Sequence, residues 1–120
     1  MKYADLHVHT FYSDSTFSPE EAVSCARDRA LAAIAICDHD SVDGIGPCRV
    51  IGDRLGVEIL PGIELTAEKA DAEIHILGYL MDYNLGWFQK QLKELREGRI
   101  NRIYKMVEKL RSEGIDLNAE

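Results

Sequence analysis

An α/β fold is predicted by three features of the 120-residue sequence. Residues 3–9, "YADLHVH", alternate, with Tyr3, Asp5, His7 and His9 on one face and Ala4, Leu6 and Val8 on the other, which is the period of a strand. The run "LAAIAIC" at 31–37 is short and apolar throughout, as a fully buried strand is. Between them, Ser18 is a good N-cap, Pro19 suits the first helical position and Glu21 stands at capping-box spacing, so a helix is expected over 19–30. Strand–helix–strand order implies mainly parallel strands.

The remaining elements follow in order. "SVDGIGPCRVIGDRLG" reads as a loop leading into a helix that ends near Gly56. "VEILPGIEL", 57–65, reads as a strand with a bulge or bend at Pro61 and Gly62, and "AEIHILGYL", 72–80, as another. From about Asn84 the period changes. Leu85, Phe88, Leu92, Leu95, Ile103, Val107 and Leu110 recur at three and four, with Arg99 filling one step, the stripe of a long amphipathic helix running to Gly114. Residues 1–82 therefore form one expected unit and 83–120 a second. Four strands cannot close a barrel, and so long a helix carries more apolar stripe than four strands cover. The expectation is the first part of a longer α/β barrel, or a chain that assembles with copies of itself.

A net charge of −7 and a pI of about 5.1 argue against a general nucleic-acid or membrane surface, which wants a basic face. They leave open an anionic small molecule, because bound metal ions reverse the field locally. Cys25, Cys37 and Cys48 are odd in number and form no C-x-x-C, so they read as small core residues rather than a disulfide framework or zinc ribbon. No apolar run reaches the ~18 residues of a membrane span, and none follows Lys2 as a leader would, so a cytoplasmic protein is expected.

Chemistry gathers at the strand ends. On a strand, His7 and His9 point to one face and can reach one ion together. Asp14 follows five residues on. "DHD", 38–40, lies just past the second strand, Glu64 ends the third in "PGIELT", and His75 sits inside "EIHIL". Each alone has an ordinary alternative: a polar strand edge, a solvated acidic loop, a helix cap, a core histidine. Together, all four histidines lie on or at the ends of successive predicted strands, and strand ends converge in a barrel. Imidazole with carboxylate suits Zn, Mn or Fe rather than Ca or Mg.

The segments "DLHVHTFYSDST", "AICDHDSVDG", "PGIELTAE" and "IHILGY" resemble, in order and spacing, the first four motif regions of the PHP (polymerase and histidinol phosphatase) family. The resemblance implies the N-terminal part of a distorted (βα)7 barrel with a site for up to three ions of Zn, Mn or Fe, followed by the start of a helical insertion. By resemblance, His7 and His9 bind one ion, Glu64 bridges it to a second held by His75, and Asp14 and His39 bind the third. Asp38 and Asp40 would support the ligands or face the substrate. Arg99 and Arg102, in "LREGRINRI", are candidates to hold phosphate, with a solvated helix face as the alternative, and Arg96 reads as surface. "SDST" stands where the family commonly has "SDGT", and the family's later ligands, a histidine and an Asp-x-His pair, have no counterpart after His75.

Within the family the chain is most similar to stand-alone bacterial phosphoesterases. The implied substrate is a small phosphate ester, a nucleotide 3',5'-bisphosphate or monophosphate or a short oligonucleotide, with no membrane and no stable duplex as partner. Ligating histidines must be neutral, so activity should fall below about pH 6.5. The alternatives are a non-catalytic metal-stabilised module, a histidinol-phosphatase-like enzyme, and a C–N hydrolase of amidohydrolase type. The last needs a metal-bridging lysine, whereas Lys69 is expected in a turn.

Overall fold

The computed structural model describes residues 2–69 and 72–117. In chain order the elements are β1 (Ala4–Val8), α1 (Pro19–Asp28), β2 (Ala33–Ile36), α2 (Ile45–Leu55), β3 (Glu58–Lys69), β4 (Ala72–Tyr79) and α3 (Gly86–Ser112). They divide into two compact units, Met1–Tyr83 and Asn84–Glu120.

The first unit is a four-stranded sheet in the order β1-β2-β3-β4. β1, β2 and β3 run parallel, because α1 and α2 carry the chain back between them. The strands are mainly parallel, as expected, with β4 the exception, since it pairs antiparallel with β3. No helix separates the two, so the chain can return only as a hairpin.

The expected bulge at Pro61 and Gly62 is not where the irregularity lies. β3 passes through those residues unbroken and changes partner: Glu58 to Pro61 pair with β2, and Gly62 to Lys69 with β4. Gly62 is required there, since a Cβ would come within 2.5 Å of Cys37 Sγ and 2.8 Å of the Ile36 carbonyl. The register shift sits instead on β1, between Asp5 and Val8. There the Asp5 carboxylate accepts the His7 N–H at 3.1 Å.

α1 starts as expected, with Ser18 Oγ accepting from Glu21 N and the Glu21 carboxylate accepting from Ser18 N. α2 ends at Gly56, whose φ of 73° is the left-handed conformation that glycine adopts freely. Both helices pack on one face of the sheet, where Val23, Ile34, Ile36, Ile45 and Ile63 are buried. Cys37 and Cys48 are buried free thiols and Cys25 is partly buried, as expected of core cysteines. Burial holds the thiols of Cys37 and Cys48 protonated, pushing them up to about 11 and about 12.

The sheet is curled. Tyr79 on β4 donates its hydroxyl to the Leu6 carbonyl on β1 at 2.8 Å. Those strands are three places apart, about 14 Å in a flat sheet, and a tyrosine side chain cannot span that unless the sheet bends round.

The second unit is dominated by the 27-residue α3. Pairs Lys90–Glu94 and Lys93–Glu97 line its polar side at 3.8 Å, and Leu95, Ile103 and Tyr104 are exposed. Arg99 and Arg102 are exposed, whereas Arg96, expected at the surface, is partly buried. No helix among the described residues is long and apolar enough to cross a membrane.

Candidate metal centre

Glu64 is the seventh residue of β3, three past the last position paired with β2. Its side chain is 5% exposed. Backbone bonds fix it against the turn after β2: Glu64 N donates to the Asp38 carbonyl at 3.2 Å, and Asp40 N donates to the Glu64 carbonyl at 3.0 Å. This exchange makes His39 the register neighbour of Glu64. Asp40 turns the chain there with a φ of 48°, a conformation that Asp tolerates better than most residues.

All four histidines converge on this carboxylate. His7 Nε2 lies 2.9 Å and His9 Nε2 3.0 Å from Oε2, and His39 Nε2 lies 3.5 Å from it. His75 Nδ1 lies 2.8 Å from Oε1. The rings follow one another at centroid distances of 4.9 Å (His7–His9), 4.9 Å (His9–His39) and 5.0 Å (His39–His75). Asp14 closes the far side, with Oδ1 3.0 Å from His9 Nδ1 and Oδ2 3.5 Å from His39 Nε2.

Every residue expected as a ligand therefore lies in one cluster. One of them stands differently from expectation: Glu64 is inside β3 rather than at its end. His75 lies inside its strand as expected, the fourth residue of the eight-residue β4. In the β3–β4 register His75 faces Thr66, so it shares a face with Glu64 and reaches it diagonally. A helix would have carried the chain away; the hairpin brings a ligand back.

Three groups of donors, His7–His9–Glu64, His9–Asp14–His39 and His39–Glu64–His75, each offer ligand atoms within 4.8 Å of one another. Four imidazoles at such spacing could not all carry charge without strong repulsion, whereas neutral imidazoles with a carboxylate suit a divalent transition metal. His39 Nδ1 is buried with no hydrogen-bond partner among the described residues, an arrangement that proteins rarely leave uncompensated.

Burial pushes the Glu64 carboxyl up, but the hydrogen bond from His7, the His39 charge and the hydrogen bond from His75 outweigh it and hold it below its ordinary value of 4.5. His75 is raised above 6.5, first by its hydrogen bond to Glu73 (2.9 Å) and also by Glu64, against a smaller lowering by burial.

Asp38, expected either to support the ligands or to face the substrate, is bonded to the loop that follows β1. It is fully buried and accepts three hydrogen bonds at 2.7 Å, from Thr10 N and Ser13 Oγ on Oδ1 and from Thr10 Oγ1 on Oδ2. Thr10 and Ser13 were not anticipated, since a hydroxyl in a polar loop gives no signal of an inward role. Gly44, at the start of α2, leaves them room: a Cβ there would stand 2.6 Å from Asp38 Oδ2 and 2.9 Å from Thr10 Oγ1. Asp40 is 5% exposed and accepts from Thr66 N at 3.4 Å. Lys69 ends β3 rather than lying in a turn. Five residues from Glu64 along a strand is about 16 Å, so Lys69 is too far away to bridge ions there.

Known proteins share this arrangement of strands. The chain is 33% identical over 115 residues to a 3',5'-nucleoside bisphosphate phosphatase of Chromobacterium violaceum, covering 96% of this chain and 40% of that one. It is 31% identical to a 5'-3' exoribonuclease of Haemophilus influenzae, covering 95% of this chain and 42% of the relative. Among solved structures, an amidohydrolase from Chromobacterium violaceum with bound sulfate superposes with a TM-score of 0.84 at 32% identity, over 95% of this chain and 40% of that one. The chain thus spans about two fifths of the length of the relatives it matches. The PHP domain model matches residues 5–116, and the chain belongs to the PHP family.

Proposed function

We propose that this chain carries the metal-holding part of a phosphoesterase that hydrolyses phosphate esters of nucleotides, such as a 3',5'-bisphosphate, a monophosphate or the end of a short oligonucleotide. The observation that carries the reading is the convergence of His7, His9, His39 and His75 on the buried Glu64 carboxylate. The names of the two relatives support nucleotide esters as the substrate class.

His7, His9, Asp14, His39, Glu64 and His75 would hold up to three divalent ions of Mn, Zn or Fe. Such ions, when bound, neutralise phosphoryl oxygens and lower the pKa of a coordinated water toward ~7. The chain's own residues do the rest. Glu64 offers Oε2 to the His7–His9 side and Oε1 to the His75 side, so one rigid carboxylate sets the spacing of two positions. Its burial and its backbone ties to Asp38 and Asp40 keep that spacing fixed while substrate changes. Arg99 and Arg102 remain candidates to hold a phosphate.

Phosphate release from a nucleoside 3',5'-bisphosphate in Mn²⁺ tests the reading. The full polypeptide should release phosphate, and Glu64→Gln should abolish it. Turnover that persists in Glu64→Gln, or survives exhaustive chelation, would contradict it.

A further inference from the structure

We infer that Ser13, backed by the buried Asp38, is a positioning residue that holds His9 as its Nδ1–H tautomer and so leaves Nε2 as the ligand atom for the ion that the resemblance gives His9 in common with His7. The inference deepens the metal reading above and rests on it. Two of the three donor groups claim His9, one with His7 and Glu64, the other with Asp14 and His39. A neutral imidazole has a single unprotonated nitrogen and can serve one ion only. Which nitrogen that is depends on the hydrogen bond made by the other.

Ser13 Oγ has one proton to give. Its shortest contact, 2.7 Å, is to Asp38 Oδ1, which also accepts the Thr10 N–H. With the hydrogen directed at Asp38 rather than at the longer contact with Asp14 Oδ1, 3.3 Å, the hydroxyl faces His9 with a lone pair. His9 Nδ1 lies 3.4 Å away, and the contact is favourable only if Nδ1 carries the hydrogen. Asp14 Oδ1, 3.0 Å from the same nitrogen, accepts from it as well, but the Asp14 side chain is 64% exposed and can turn aside. Asp38 cannot. It is fully buried, and its oxygens are also held by Thr10 N and Thr10 Oγ1. Placing the hydrogen on Nδ1 leaves Nε2, 3.0 Å from Glu64 Oε2, as the ligand atom. Asp14 and His39 are then left to another ion.

The tautomer is read directly by ¹⁵N NMR of the imidazoles in chelator-treated full polypeptide, and its consequence by Zn²⁺ affinity in chelator competition. The wild type should show His9 protonated at Nδ1. Ser13→Ala should mix the tautomers and weaken the tightest Zn²⁺ site by about 10–100-fold, as loss of a hydrogen-bond partner behind a metal-binding histidine typically does. Ser13→Thr, which keeps the hydroxyl, should restore both. Wild-type His9 protonated at Nε2 would overturn the inference even if Ser13→Ala did not fold. So would a Ser13→Ala protein with wild-type tautomer and affinity, or a Ser13→Thr protein that failed to rescue. A wild type that shows the Nδ1–H signature yet takes up no Zn²⁺ would instead sink the metal reading itself.

Discussion

Glu64 Oε2 stands 2.9 Å from His7 Nε2, although 57 residues and the whole of strand β2 separate them. The contact crosses the sheet because β2 ends at Ile36 and the chain beyond it turns, leaving β1 and β3 to share the space above its end. Glu64 meets three further imidazoles in that space, so its carboxylate should matter more than any other in the site. Glu64→Gln should lower metal content and kcat/KM well beyond the 10–100-fold typical of a residue behind a ligand. Asp40→Asn should stay within that range, since Asn also tolerates the positive φ. Equal losses from both substitutions, measured with metal content, would contradict the assignment of Glu64.

Metal-depleted protein should be most stable in mildly acidic solution. Glu64 has a lowered folded value, so its contribution is present above 4.5 and is lost as pH falls through that lower value. His75 has a raised folded value, so its contribution is full below 6.5 and is lost as pH rises through the higher one. Both are present between 4.5 and 6.5. Adding Zn²⁺ should move the optimum upward, because ligation needs neutral imidazole. Melting curves against pH, with and without Zn²⁺, check the sign. An optimum that Zn²⁺ leaves in place would be inconsistent with histidine ligation.

Gly44 and Gly46 are two residues apart, on opposite sides of the start of α2, and differ in consequence. A methyl group at Gly44 would press on Asp38 and Thr10, while nothing lies within 4 Å of one at Gly46. Gly44→Ala should destabilise by about 1–3 kcal/mol. Gly46→Ala should be neutral or stabilise by up to about 1 kcal/mol. Urea unfolding of the two variants measures the difference.

Exposed apolar side chains mark the rims of the first unit: Leu6 on β1, Ile74 and Ile76 on β4, and Leu80 just beyond it. Edge strands with such side chains invite pairing. The isolated 120-residue polypeptide should self-associate, with exchange of α3 between copies as the proposed route. Light scattering decides; a monodisperse species of 13.5 kDa would count against it.

Much of this architecture was legible in the residues because local physics set it. The Ser18–Glu21 capping box, the apolar run of β2 and the glycine stop at Gly56 each announce an element without help from the rest of the chain. The six candidate ligands were legible because histidines and carboxylates gather on or near successive strands, in motifs that resemble those of a known family. What was not legible is tertiary. The direction of β4 depends on which edge of β3 is free, and the register shift in β1 depends on its pairing with β2. The inward turn of Thr10 and Ser13 depends on Asp38 being buried beneath them, which "CDHD" alone does not say.

Anomalous diffraction at the metal edge from crystals grown with Zn²⁺ or Mn²⁺ tests the central claim most directly. The account predicts peaks on either side of the Glu64 carboxylate, one beside His7 and His9 and one beside His75, separated by about 3.5–4 Å. Peaks elsewhere on the molecule, with the four imidazoles still resting on an uncoordinated Glu64, would contradict it.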